Sequence, residues 1–357
     1  MNNLDDIQAM KVLDTKNVIE STALFADQCE QAWEEGSNIQ FPSTYFPINN
    51  IIVSGMGGSR FTPLTIKELF RDRIKKPYEI IDEYTIPSYV DEDTLVILSS
   101  YSGSTDEVVS CSNMAFAQKA KITAVTSGGI ISQIAQKYNF PIYIFSPKYN
   151  PCGQPRIGGG YLLMGHIGIL KSLKLLDIKD SEIYEAIEYA RLITKSLLPE
   201  IPIKDNTAKQ MALRLCGKHP FIITSQFLKG FGNGFANQIN ETAKTISDCR
   251  FIPELNHHLM EGLKYPETEK QNWIFVLIRS SLYCDSIQKR FSITQDILKK
   301  QHIEFFSYET TGDSKISQVL GLFVFSGFVS VYLAILNGEN PVEIPLVNYF
   351  KKKMLEK

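Results

Sequence analysis

Three times in its first half the chain runs from a short apolar stretch directly into a loop of glycine and serine, and from there into a helical pattern. Asn50-Ile51-Ile52-Val53-Ser54 opens into Gly55-Met56-Gly57-Gly58-Ser59. Thr94-Leu95-Val96-Ile97-Leu98 opens into Ser99-Ser100-Tyr101-Ser102-Gly103-Ser104-Thr105, and Ile122-Thr123-Ala124-Val125-Thr126 into Ser127-Gly128-Gly129. Strands alternating with helices at this spacing predict an α/β fold, a parallel sheet with helices on both faces. In such sheets ligands bind at the carboxyl ends of the strands, where these loops lie. Residues 78–81 and 141–145 supply two more strands. A helical section over 158–215 follows, with breaks near Asp177 and at 199–202. The alternation then returns, with strands at 220–224, 273–278 and 303–306 and helices at 234–244 and 285–299. The pattern draws two doubly wound, flavodoxin-like halves joined by helices. The boundaries it gives are 1–40 for an N-terminal helical segment, 41–155 for a first subdomain, 156–215 for a helical connection and 216–357 for a second subdomain with C-terminal helices.

At 357 residues, 44% hydrophobic and 21% charged, the chain has enough apolar surface for two cores and is not a disordered protein. Thirty-seven basic residues against thirty-nine acidic ones leave a formal charge of -2, which gives no broad attraction to nucleic acid or to an anionic membrane. The six cysteines are scattered, without a C-x-x-C, which argues against a zinc site or a disulfide framework and suits a cytoplasmic location. No signal peptide is visible. Residues 316–338 carry no charge and are long enough to span a bilayer. Ser326, Gly327 and Ser330 interrupt them and no basic cluster precedes them, so a buried core or interface helix is expected.

The loop from Ser99 to Thr105 has the composition of a phosphate cradle. The first turn of a helix has unpaired amides and a favourable dipole for an anion, and hydroxyls add donors without charge. Ser102 and Thr105 as mere helix caps are the plainer reading, but capping needs one hydroxyl and this loop has several. No Gly-Lys-Ser/Thr follows, so it is not a P-loop. The glycines at 55, 57 and 58 fail the dinucleotide fingerprint, because Arg60 stands where its third glycine belongs. A nicotinamide-dependent dehydrogenase is therefore a poor reading, and the glycines suit either a tight turn or close approach of a small ligand.

Residues 53–59 and 100–107 resemble the two signature loops of the sugar isomerase (SIS) fold. With Pro155-Arg156, Asn240-Glu241-Thr242-Ala243-Lys244 and Glu254-Leu255-Asn256-His257, in that order, the chain is similar to the bifunctional phosphoglucose/phosphomannose isomerases from about residue 50 to Lys351. The resemblance implies two SIS subdomains, a homodimer, a hexose 6-phosphate substrate, and neither cofactor nor metal. It implies an aldose–ketose isomerase acting on glucose 6-phosphate, and mannose 6-phosphate where accepted, through a cis-enediolate. Carried over, Gly57, Gly58 and Ser59 line the sugar site, and Ser100, Ser102 and Thr105 bind the phosphate. Arg156 faces the reacting carbons, Glu241 is the base, and His257, from the neighbouring subunit, and Lys351 assist ring opening. The chemistry suits these residue types: a carboxylate to take a C–H proton, a fixed guanidinium for enediolate charge, and a histidine titrating near neutrality.

Other readings stand beside these. Glu241 and Lys244 at i,i+3 read equally as an exposed ion pair, His257 as a surface histidine, and Lys351-Lys352-Lys353 as a solvated tail. His166, His219 and His302 read as structural. A non-catalytic sugar-phosphate-binding protein on the same fold is the competing function. Three departures from the family stand out. Ser104 replaces a usual Asn and His258 replaces another. Ile344 stands at the spacing of a threonine that the family associates with mannose 6-phosphate.

Overall fold

The computed structural model describes residues 3–356. The N-terminal stretch is helical to Gly36 but divided into α1 (Ile7–Leu13), α2 (Val18–Ala23) and α3 (Phe25–Gly36). Asp14 makes the first break. Its carboxylate accepts from the amides of Val18 at 2.7 Å and Ile19 at 2.9 Å, so it serves the unpaired donors of α2.

The first sheet is built from β1 (Asn50–Ser54), α4 (Gly58–Leu69), β2 (Tyr78–Ile81), β3 (Thr94–Ser99), α5 (Asp106–Ala117), β4 (Lys121–Thr126), α6 (Gly129–Tyr138) and β5 (Tyr143–Ile144). Its strand order is β2-β1-β3-β4-β5, all parallel, with Val53 opposite Ile97 and Leu98 opposite Ala124. β3 is buried along its whole length, as a strand covered on both faces must be. The chain leaves β1 for β2 on one side and returns to β3 on the other. The crevice between the β1 and β3 loops is therefore the switch point where such a sheet binds ligands.

Three helices follow, α7 (Gly159–Ser172), α8 (Asp180–Leu197) and α9 (Thr207–Leu215), matching the expected breaks. The second sheet takes in β6 (His219–Ser225), α10 (Lys229–Ala243), β7 (Asp248–Ile252), α11 (Leu255–Gly262), β8 (Trp273–Ser280), α12 (Asp285–Lys300) and β9 (Glu304–Thr310). Its order is β7-β6-β8-β9, again all parallel. Two differences from the sequence pattern have physical causes. The edge strand β7 was not expected, because Asp248 and Arg250 break its apolar run; being half-exposed, it needs none. α10 starts at Lys229 rather than 234. The glycine in the added turn is there for contact: a Cβ on Gly230 would sit 2.3 Å from the backbone nitrogen of Thr65 on α4.

The chain ends with α13 (Lys315–Leu336) and α14 (Pro345–Leu355). α13 is the uncharged segment. It is long and apolar enough to cross a membrane, yet every residue in its most apolar window is buried within the fold. Phe323 on α13 stacks with Phe25 of α3 at 5.6 Å and Phe61 of α4 at 5.8 Å, and meets Phe231 of α10 edge-on at 5.7 Å. One aromatic cluster thus joins the helices of both sheets, which is why α13 is apolar all round. α14 is the opposite case, with Leu346, Tyr349 and Phe350 largely exposed.

Candidate active site

The loops after β1 and β3 are fastened to each other. Ser99 Oγ donates to the Ser59 carbonyl at 2.7 Å, and the Tyr101 amide donates to Ser59 Oγ at 3.0 Å. Ser59 is thereby used to hold the crevice together, and it is buried. Ser100 Oγ accepts from the Gly103 amide at 3.0 Å and shares a hydrogen bond of 2.8 Å with Thr105 Oγ1. Ser102 is exposed and accepts only a long contact, 3.4 Å, from the Ser104 amide. Thr105 is the N-cap residue of α5, but its side chain does not cap the helix. Among the described residues, the amides of Thr105, Asp106, Glu107 and Val108 have no acceptor. Four unpaired donors thus lie beside the hydroxyls of Ser100, Ser102 and Thr105 at one helix start, where the dipole favours negative charge. Gly103 makes the turn possible: it has φ 67°, and an added Cβ would lie 1.8 Å from the Gly128 carbonyl oxygen.

From this loop the contacts lead to Arg156. A Cβ on Gly58 would stand 3.3 Å from the Pro155 oxygen and 3.5 Å from the Arg156 nitrogen, so the start of α4 rests on the 155–156 backbone. Gln238 Nε2 donates to the Arg156 carbonyl at 3.2 Å. The guanidinium is buried. Its Nε donates to Thr242 Oγ1 at 3.1 Å, Nη1 to Gln154 Oε1 at 2.9 Å, and Nη2 to the carbonyls of Pro341 at 2.6 Å and Val342 at 3.0 Å. Nη1 also faces Glu241 Oε2 at 3.6 Å. Of five N–H groups, four hold protein atoms and one is turned toward the carboxylate. Burial lowers the proton affinity of Arg156, and Glu241 opposes that.

Glu241 lies in the last turn of α10 with a third of its side chain exposed, 33%. Burial raises its pKa above the ordinary carboxylate value, and the charges of Arg156 and Lys351 pull it partly back. A cavity of about 360 Å³ lies beside it, walled by Asn240, Glu241, Lys244, Ile344 and Leu346. The alternative reading of Glu241 and Lys244 as an ion pair does not hold: the two are not paired. Lys244 lies past the helix end with φ 52°, and its ammonium donates to the carbonyls of Thr242, at 3.0 Å, and Asn340.

Lys351 sits on α14, exposed, within electrostatic reach of Glu241, so the lysine run is on an ordered helix rather than in a tail. His257 is on α11 with an exposed ring, and among the described residues no hydrogen bond or ion pair joins it to Glu241, Arg156 or Lys351. His258 lies 3.9 Å from Glu254. The other histidines are elsewhere. His166 is buried with Nδ1 2.6 Å from the Leu162 carbonyl, its pKa pushed down to about 4 by burial, and His219 stacks on Phe221 at 4.5 Å. Among the described residues no three His, Cys, Asp or Glu side chains are arranged to hold a metal ion. Thr242, Gln154 and the carbonyls of Pro341 and Val342, which orient Arg156, were not foreseen. Thr242 adjoins Glu241 in its motif and was a findable signal, whereas a backbone carbonyl leaves none.

A family model described as the bacterial phospho-glucose isomerase C-terminal SIS domain matches residues 204–354. The bifunctional phosphoglucose/phosphomannose isomerase of Thermoplasma volcanium is 31% identical over 310 residues, which cover 86% of this chain and 91% of that protein. The protein of the same name from Caldicellulosiruptor bescii is 29% identical over 341 residues, 95% of this chain and 99% of that one. Among solved structures, a hypothetical protein from Thermus thermophilus matches with a TM-score of 0.74 at 13% identity, covering 98% of this chain and 94% of the other, a likeness of fold.

Proposed function

The chain belongs to the bifunctional phosphoglucose/phosphomannose isomerase family, and we propose that it interconverts glucose 6-phosphate and fructose 6-phosphate through a cis-enediolate with Glu241 as the base. The observation that carries this reading is the 3.6 Å approach of a buried guanidinium to a carboxylate of raised proton affinity, linked through Gly58 and Ser59 to the hydroxyl-rich loop.

In this reading the phosphate rests on the amides that open α5 and on the hydroxyls of Ser100, Ser102 and Thr105, with Gly57, Gly58 and Ser59 beside the sugar. Anchoring one end of the substrate fixes the distance from the phosphate to C1 and C2, so the proton transfer is set up by binding. His257 and Lys351 move protons at the ring oxygen and the anomeric hydroxyl to open the ring. Glu241 then takes the C2 proton of the aldose and returns it to C1, which its raised pKa favours. The free N–H of Arg156 meets the charge that develops on oxygen, a role whose loss typically costs about 10²–10³ in rate.

His257 is exposed and unpartnered among the described residues, which supports its delivery to the site of a second subunit in a homodimer. Ile344 lines the cavity beside Glu241 without a hydroxyl, so glucose 6-phosphate is expected to be preferred over mannose 6-phosphate. Six free cysteines fit a reducing cytoplasm.

The test is a coupled assay on fructose, glucose and mannose 6-phosphates with purified protein and no added cofactor. Turnover of fructose 6-phosphate to glucose 6-phosphate is expected. Binding of these sugars without turnover of any would replace this reading with that of a sugar-phosphate-binding protein.

A further inference from the structure

Lys244 has no place in the chemistry above, yet it lines the cavity beside Glu241. A lysine three residues after a glutamate on a helix would ordinarily pair with it. Here α10 stops at Ala243, and Lys244 takes the left-handed conformation, φ 52° and ψ 33°. Glycine or asparagine fills that position at lower cost, so the cap alone does not explain a lysine. The turn swings the ammonium off the Glu241 face and onto the Asn340 carbonyl.

Asn340 begins a strap between α13 and α14. Its Nδ2 donates to Thr15 Oγ1 at 3.0 Å, and its Oδ1 accepts from the Val342 amide at 2.9 Å. The next two carbonyls are those held by Arg156 Nη2. Three consecutive carbonyls are thus gripped by two buried or half-buried cations. Beyond the strap comes α14, whose apolar side chains at 346, 349 and 350 are mostly exposed. Its own packing does little to fix it, and the strap sets where Lys351 stands.

We propose that Lys244 is a positioning residue, which with Arg156 clamps the 340–342 strap so that α14 holds Lys351 over Glu241. The placement carries a cost that a mere surface lysine avoids: burial and Arg156 push the Lys244 pKa down to about 8, against the favourable charges of Glu339 and Glu343.

The inference rests on the isomerase reading, and a double-mutant cycle separates the two. If the parent turns over no hexose phosphate, the isomerase reading fails. If the parent is active, Lys244→Met should lower kcat roughly tenfold or more, with KM for fructose 6-phosphate within about threefold, and Lys244→Arg should recover most of the loss. Because Lys244 acts through Lys351, Lys244→Met/Lys351→Met should be no slower than Lys351→Met alone. An unchanged kcat in Lys244→Met, or losses that multiply in the double variant, would overturn the clamp. Hydrogen exchange gives an arm that needs no turnover. The amides of 342–351 should exchange faster in Lys244→Met than in the parent, and unchanged exchange would count against the proposal. Should Lys244→Met not fold, Asn340→Ala loosens the same strap, with the same loss of kcat expected, and parent-like kcat there would overturn it.

Discussion

At residue scale the site holds two groups in opposed states of discomfort. Glu241 is pushed toward its protonated form by burial, with Arg156 and Lys351 only partly compensating. Its pKa is higher folded than unfolded. Its contribution to stability is therefore complete below the unfolded value and is lost as pH rises through the folded one. In the proposed reaction the dependence runs the other way, since a base works only when ionised, so the acid limb of kcat should fall at a pH above that of an ordinary glutamate. Glu241→Gln separates the two effects. It should lower kcat by about 10²–10⁴, while its melting temperature at pH 7 equals or exceeds the parent's by up to a few degrees. The checks are a coupled assay and a thermal melt, and a melting temperature well below the parent's would mean that the pairing with Arg156 outweighs the burial penalty. Arg156 and Glu241, both singled out in the sequence and far apart in the chain, do meet. The partners that orient Arg156 were not, because three of its acceptors are a threonine hydroxyl and two main-chain oxygens that no side-chain pattern announces.

At the scale of elements, apolar runs could be read from sequence both inside the sheets and at their edges, where β2, β5 and β9 lie. β1, β3, β4 and β8 are near-continuous apolar runs and fell where expected. β7, an edge strand with charges at alternate positions, did not. The hydroxyl-rich loop proposed to bind phosphate gives the element-scale prediction. Gly57 has φ 51° and ψ -119° with open space around its missing Cβ, so Gly57→Ala costs only backbone conformation, roughly 1–3 kcal/mol. Gly103 adds a collision with the Gly128 oxygen to its positive φ, so Gly103→Ala must displace the loop. It should cost roughly 3 kcal/mol or more in urea unfolding and raise KM for fructose 6-phosphate well beyond any rise in Gly57→Ala. Equal effects of the two substitutions would show that the loop's shape is not what binds phosphate.

On the scale of the whole molecule, α13 explains how an uncharged segment of membrane-spanning length sits among the helices that flank the two sheets: its aromatic contacts reach helices of both. Hydropathy alone does not distinguish this from a membrane helix, since both are apolar all round. Within one chain, among the described residues, no hydrogen bond or ion pair joins His257 to Glu241. If a second copy supplies it, mixing Glu241→Gln with His257→Ala subunits should restore about a quarter of parental activity. Half of the dimers are then mixed, and one site in each is intact. No restoration after verified subunit exchange would place His257 outside the reaction. The central claim is that Glu241 carries a proton between C1 and C2, and isomerisation of fructose 6-phosphate in deuterium oxide, followed by proton NMR, tests it most directly. Deuterium should enter C2 of the glucose 6-phosphate formed by the parent protein, with turnover and exchange both lost in Glu241→Gln. Turnover without any deuterium at C2, or near-parental exchange in Glu241→Gln, would contradict it.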